Sequence, residues 1–132
     1  MTTYRRQLAF ALAVPLGLLA ACGGGATADG SGNETGPIAV TASDDACDVA
    51  VDEAEAGTIT FAVTNTGSKV TEFYLYAEGD RIIGEAENIG PGLTRELLVE
   101  VSESGTYETA CKPGMVGDGI RNPFTVSGAA QN

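Results

Sequence analysis

The chain contains no histidine and no tryptophan, and only 6% of its residues are aromatic. Without an imidazole no Ser-His-Asp or Cys-His nucleophile can be assembled, no zinc site can use a histidine ligand, and no side chain has an unperturbed pKa near neutrality. Basic residues are scarce as well, 7 against 18 acids for a formal charge of −11. Two of the seven, Arg5 and Arg6, stand at the extreme N-terminus, and every acid follows residue 21. From Cys22 onward five bases therefore face 18 acids, a formal −13. Such a surface repels nucleic acid and attracts cations and basic partners, so nucleic-acid binding is excluded. Neither a phosphate-cradling Walker loop nor a dinucleotide-binding glycine fingerprint is present, which leaves phosphoryl and hydride transfer without support.

What is present begins with a leader. Arg5-Arg6 is followed by an apolar run, Leu8 to Leu19, too short for a comfortable membrane span. The run ends Leu19-Ala20-Ala21-Cys22, which resembles the lipobox of bacterial lipoproteins. That resemblance implies removal of residues 1–21, lipidation of Cys22 and residence on the outer face of the cytoplasmic membrane. Residues 22–36 then read as a flexible tether rich in glycine and small polar residues, reaching roughly 20 Å on average.

Residues 37–127 carry the fold, and 128–132 form a short tail. Short stretches alternate at period two: Ile38 to Ala42, Cys47 to Val51, Thr58 to Thr64, Thr71 to Tyr76, Leu93 to Val101, Gly105 to Cys111 and Ile120 to Val126. Ile59, Phe61 and Val63 share one face. Phe73 and Leu75 share another, with Glu72, Tyr74 and Tyr76 opposite. Residues 81–89 read either as a strand or as an irregular crossing. With 18 glycines and turn signals such as Asn65-Thr66-Gly67-Ser68, the pattern predicts an all-β, Greek-key antiparallel sandwich of seven or eight short strands.

Chemistry concentrates in the last loop. Cys111 and Met115 are a thiol and a thioether three residues apart on a Gly/Pro turn between two strands, a spacing that suits a soft ion. Cys47, the remaining thiol, admits two readings with Cys111: a disulfide stapling the two ends of an exported domain, or a shared metal site. Glu72, lying within an apolar-aromatic strand, is either a third ligand or an acid on the solvent face. Met115 is otherwise loop filler against the core. Asp44, Asp45 and Asp48 cluster but lack the spacing of a calcium loop.

Gly105-x-Tyr107-x-x-x-Cys111-x-x-x-Met115-x-Gly117-x-Gly119-Ile120 resembles the C-terminal signature of cupredoxins. Thr58 to Gly67 followed by Glu72, and Glu87-Asn88-Ile89-Gly90-Pro91-Gly92-Leu93, are similar to the EfeO-type cupredoxin domain of bacterial iron-uptake systems. That resemblance spans the whole fold and implies a sandwich of the cupredoxin type. It further implies copper or iron at Cys47, Glu72, Cys111 and Met115, and an iron-uptake or redox partner in the membrane. A blue-copper site is excluded by the missing imidazoles, and Lys112-Pro113-Gly114 fills the interval where a histidine would lie. Three functions follow as expectations: an anchored metal-binding protein, a disulfide-closed interaction module without metal, and a ferroxidase.

Overall fold

The computed structural model describes residues 36–128. The expected leader, the lipidated Cys22 with nearly all of its tether, and residues 129–132 lie outside the described residues.

Among the described residues nine strands build two sheets. In chain order they are β1 (Ile38–Ala42), β2 (Cys47–Val49), β3 (Glu53–Glu55), β4 (Gly57–Asn65), β5 (Thr71–Ala77), β6 (Arg81–Ile89), β7 (Thr94–Val101), β8 (Gly105–Cys111) and β9 (Ile120–Ser127). One sheet has the order β2-β1-β4-β7 and the other β3-β9-β8-β5-β6. The sandwich is all-β, as the alternation predicts. The ambiguous segment 81–89 is a strand, and short 3₁₀ turns at Glu78–Asp80 and Pro113–Met115 are the helical elements among the described residues.

Two features differ from expectation. There are nine strands instead of seven or eight, because the stretch from 47 to 56 divides into β2 and β3, one on each sheet. The sheets are mixed and not purely antiparallel: β1 runs parallel to β4, and β3 runs parallel to β9. Period-two patterning reports which face a residue occupies but carries no information on the direction of the neighbouring strand.

The core lies between the sheets. From β4, Ile59, Phe61 and Val63 point inward, and from β7, Leu97, Val99 and Val101 meet them. Phe61 contacts Phe73 with centroids 5.1 Å apart and Phe124 at 5.5 Å, tilted and edge-on arrangements that aromatic quadrupoles favour. All three rings are buried, each contributing roughly 2–3 kcal/mol by removal from water.

Strand directions sort the connections into two ends. Ala42 pairs with Asn65, and Cys111 with Ile120, so the loops 43–46, 66–70, 90–93 and 112–119 gather at one end. The first residue of β1 and the last of β9 lie at the other. Both termini of the described domain therefore emerge opposite the loop that carries Met115.

Candidate functional site

Cys47 opens β2 at the edge of one sheet, and Cys111 closes β8 inside the other. Face-to-face packing of the sheets brings the two together as a disulfide, with Sγ–Sγ 1.99 Å, Cα–Cα 5.5 Å and a sequence separation of 64. Cys111 is fully buried and Cys47 nearly so, both within the main apolar cluster. On the flanking strand, Asn122 donates from Nδ2 to the Cys47 carbonyl at 2.8 Å.

Glu72 is placed differently. Cys111 pairs with Phe73 in the β5–β8 ladder, so Glu72 lies opposite Lys112, whose amide donates to the Glu72 carbonyl at 2.9 Å. Phe73 and Cys111 face the core. Glu72 faces the outer side of the five-stranded sheet together with Tyr74. There its Oε2 accepts the Tyr74 hydroxyl at 2.8 Å. Tyr74 stacks on Tyr76 with centroids 5.3 Å apart and planes 8° from parallel. Lys112 Nζ sits 4.3 Å over the Tyr74 ring, and the Arg121 guanidinium 4.5 Å over that of Tyr76. Arg121 also bridges Asp80 at 2.6 Å and Glu108 at 2.9 Å. These side chains roof the tyrosines, which are buried although they lie on the outer face. Burial first, and then the hydrogen bond to Glu72, push the Tyr74 phenol well above its ordinary value.

Met115 ends the 3₁₀ turn at φ +58° with its side chain exposed. It does not pack in the core, as the loop-filler reading expected. Its loop is fixed by backbone bonds: the Met115 amide donates to the Lys112 carbonyl at 2.9 Å, and Gly114 N to Val70 O at 2.8 Å. At φ +79°, Gly119 brings the returning chain against β8, where a Cβ would stand 2.8 Å from the Cys111 carbonyl oxygen.

Asp44 is committed to the neighbouring turn. Its carboxylate accepts the Ser68 amide at 3.0 and 3.1 Å, the Ser68 hydroxyl at 2.6 Å and the Lys69 amide at 3.3 Å, which ties the first loop to the 66–70 turn. The Ser68 bonds hold its pKa below the ordinary carboxylate value. Buried Asn65 underlies the same turn. Its Nδ2 donates to Lys69 O at 2.7 Å and Ile89 O at 2.8 Å, while its Oδ1 accepts Gly67 N at 2.8 Å.

The sequence-predicted ligands therefore separate. The sulfurs of Cys47 and Cys111 are bonded to each other, the Glu72 carboxylate is on the far face of the sheet and Met115 is exposed on its loop. Among the described residues no group of three or more His, Cys, Asp or Glu side chains could hold a metal ion. A bridged pair of sulfurs offers no thiolate, and the chain supplies no imidazole, so the residues in this state do not fit resident copper or iron. Sequence reasoning missed Tyr74 as the partner of Glu72, and it also missed Asn65, Asn122 and the two cations over the tyrosines. The signal available for the latter was Lys112 directly after Cys111, one residue out of phase with the core face.

Among curated proteins none matches this sequence. Among solved structures, the reduced auracyanin of the photosynthetic bacterium Roseiflexus castenholzii is similar at 20% identity and TM-score 0.56, over 70% of this chain and 97% of that one. An azurin from the obligate methylotroph Methylomonas sp. strain J is similar at 14% identity and TM-score 0.53, over 71% and 99%. A multi-copper oxidase from Pediococcus acidilactici is similar at 12% identity and TM-score 0.53, over 92% of this chain but only 31% of the longer protein. At these identities the likeness is one of fold. Matching the family's model over residues 11–126, the chain belongs to the cupredoxin-like domain family.

Proposed function

We propose that this chain is an exported, lipid-anchored cupredoxin-fold module that acts by engaging a protein partner and, in its bridged form, holds no metal. The observation that carries the reading is the Cys47–Cys111 disulfide, which uses the only two thiols of the described domain. Supporting it, Val70, Leu93, Met115 and Val116 are exposed on loops of the end opposite the first residue of β1 and the last of β9.

A second reading keeps metal handling. The EfeO resemblance implies delivery of copper or iron to a membrane partner in iron acquisition, with ferroxidase activity as its catalytic form. What favours it is that reduction would free two soft sulfur donors on Cα atoms 5.5 Å apart. Thiol titration of the denatured protein without reductant separates the two. The bridged module gives no free thiol from Cys47 or Cys111, and purified protein contains no stoichiometric copper or iron. Two free thiols with bound metal that Cys111→Ser abolishes would overturn it, and catalytic ferrous oxidation would establish the enzyme.

A further inference from the structure

We propose that residues 43–56 form a strap across one open side of the sandwich, that the Cys47–Cys111 bridge is its latch, and that a dithiol reductant releases it. The strap leaves β1 in one sheet, adds the three-residue β2 to that sheet, crosses, and adds the three-residue β3 to the other before β4 begins. Of its fourteen residues only Cys47 is buried; Val49, Ala54 and Ala56 are half-buried and Val51 is exposed. Cys47 is thus the one buried side chain of the crossing and half of the disulfide, while Val49, Ala54 and Ala56 only edge against the core.

Beyond the latch the strap is held mainly by backbone bonds near the surface. Ala50 N donates to Ala39 O at 2.9 Å, Thr125 N to Asp52 O at 2.8 Å and Ala56 N to Ser127 O at 2.8 Å. Asn122 contributes its bond to Cys47 O, and the Asp44 carboxylate pins the start of the strap to Ser68. Regions with few buried apolar contacts and solvent-near backbone bonds open first. By contrast, the strands beneath the strap keep their own ladders, β1 with β4 and β9 with β8. Loss of the latch therefore frees the strap while leaving the sandwich assembled, and it uncovers the outer edges of β1 and β9.

The chemistry is ordinary exchange with a small dithiol. One thiolate of the reductant attacks Cys47 Sγ, the less buried sulfur, and the Sγ–Sγ bond breaks. Cys111 leaves as a thiolate and takes up a proton. The second thiol of the reductant attacks its own sulfur in the mixed disulfide, closing a cyclic disulfide and releasing Cys47 as a thiol. Two electrons pass from the dithiol to the protein. This mechanism requires the bridge but does not depend on whether a protein partner exists.

Amide hydrogen exchange on the full chain, oxidised and in dithiothreitol under native conditions, tests it. The expected result is that in the reduced protein the amides of Ala50, Ala56 and Thr125 exchange at least about tenfold faster than those of Phe61 and Leu75, whose own acceleration is no greater than the measured loss of global stability on reduction. The double variant Cys47→Ala/Cys111→Ala should show the same pattern without reductant. Equal protection of the strap in both states would overturn the proposal, as would a uniform loss across all strands. Metal analysis of the same samples bears on the proposed function alone, so the two can fail separately.

Discussion

Glu72 and Cys111 lie on adjacent strands yet look out through opposite faces of one sheet, because the ladder pairs Cys111 with Phe73. The carboxylate is thereby committed to the Tyr74 hydroxyl and the sulfur to Cys47. A single register position separates a shared metal site from two independent structural pairs.

The Glu72–Tyr74 bond should be visible in alkaline titration. Tyr74 has a raised pKa in the folded chain, so its contribution to stability is intact below the unfolded phenol value of about 10 and is lost as pH rises past it. Ultraviolet absorbance titration should show a late-titrating phenol that Tyr74→Phe removes. Glu72→Gln should bring that phenol down, since it removes the carboxylate charge and leaves an amide acceptor. If Glu72→Gln left the tyrosine titration unchanged, the bond would not be the one described.

Reduction should weaken the fold without abolishing it. Closing 64 residues into a loop restricts the unfolded chain, a contribution of about 4 kcal/mol in the chain-entropy treatment. Urea unfolding with and without dithiothreitol should show a loss of that order with a folded baseline retained. A difference near zero would mean that the sulfurs are not bridged in solution.

Asn65 should be among the costliest polar positions to change. Its two donors and one acceptor satisfy carbonyls of Lys69 and Ile89 and the amide of Gly67 from a side chain that is 1% exposed. Asn65→Leu strands those groups beneath the turn and should cost at least about 2 kcal/mol. Asn65→Asp keeps the acceptor for Gly67 but loses both donors, so it should also destabilise strongly. Chemical denaturation of the two variants checks this, and a loss below about 0.5 kcal/mol in either would contradict it.

Inward positions of the long strands were legible because alternation over seven or more residues fixes a face: Ile59, Phe61 and Val63, or Leu97, Val99 and Val101, needed no partner to be assigned. The outward phase of Glu72, Tyr74 and Tyr76 was legible for the same reason. What alternation could not supply was the neighbour. Nothing within Thr71 to Ala77 says that Phe73 meets Cys111, and so the convergence of Glu72 with the sulfurs could be imagined but not tested. Direction was equally hidden, which is why the parallel pairings of β1 with β4 and β3 with β9 went unseen. Three-residue strands such as Glu53–Glu55 show no period at all. The burial of Tyr74 and Tyr76 on an outer face arises from Lys112 and Arg121, distant or out of phase in sequence.

Asp44 should set part of the acid limit of the fold. Its folded pKa is depressed by the Ser68 hydroxyl and amide, so its contribution is present above the unfolded value near 3.9 and disappears as pH falls through the lower folded value. Asp44→Asn removes the titrating group but keeps one acceptor, so it should lower stability at neutral pH and flatten the dependence below pH about 4. Gly67 reports on the same contact by sterics, because a Cβ there would lie 2.5 Å from Asp44 Oδ1. Gly67→Ala should therefore displace the carboxylate and mimic Asp44→Asn in its acid profile. In a double variant the two changes should be less than additive, since both remove one interaction. Full additivity in unfolding measurements at pH 7 and below about pH 4 would show that Asp44 and the 66–70 turn act independently.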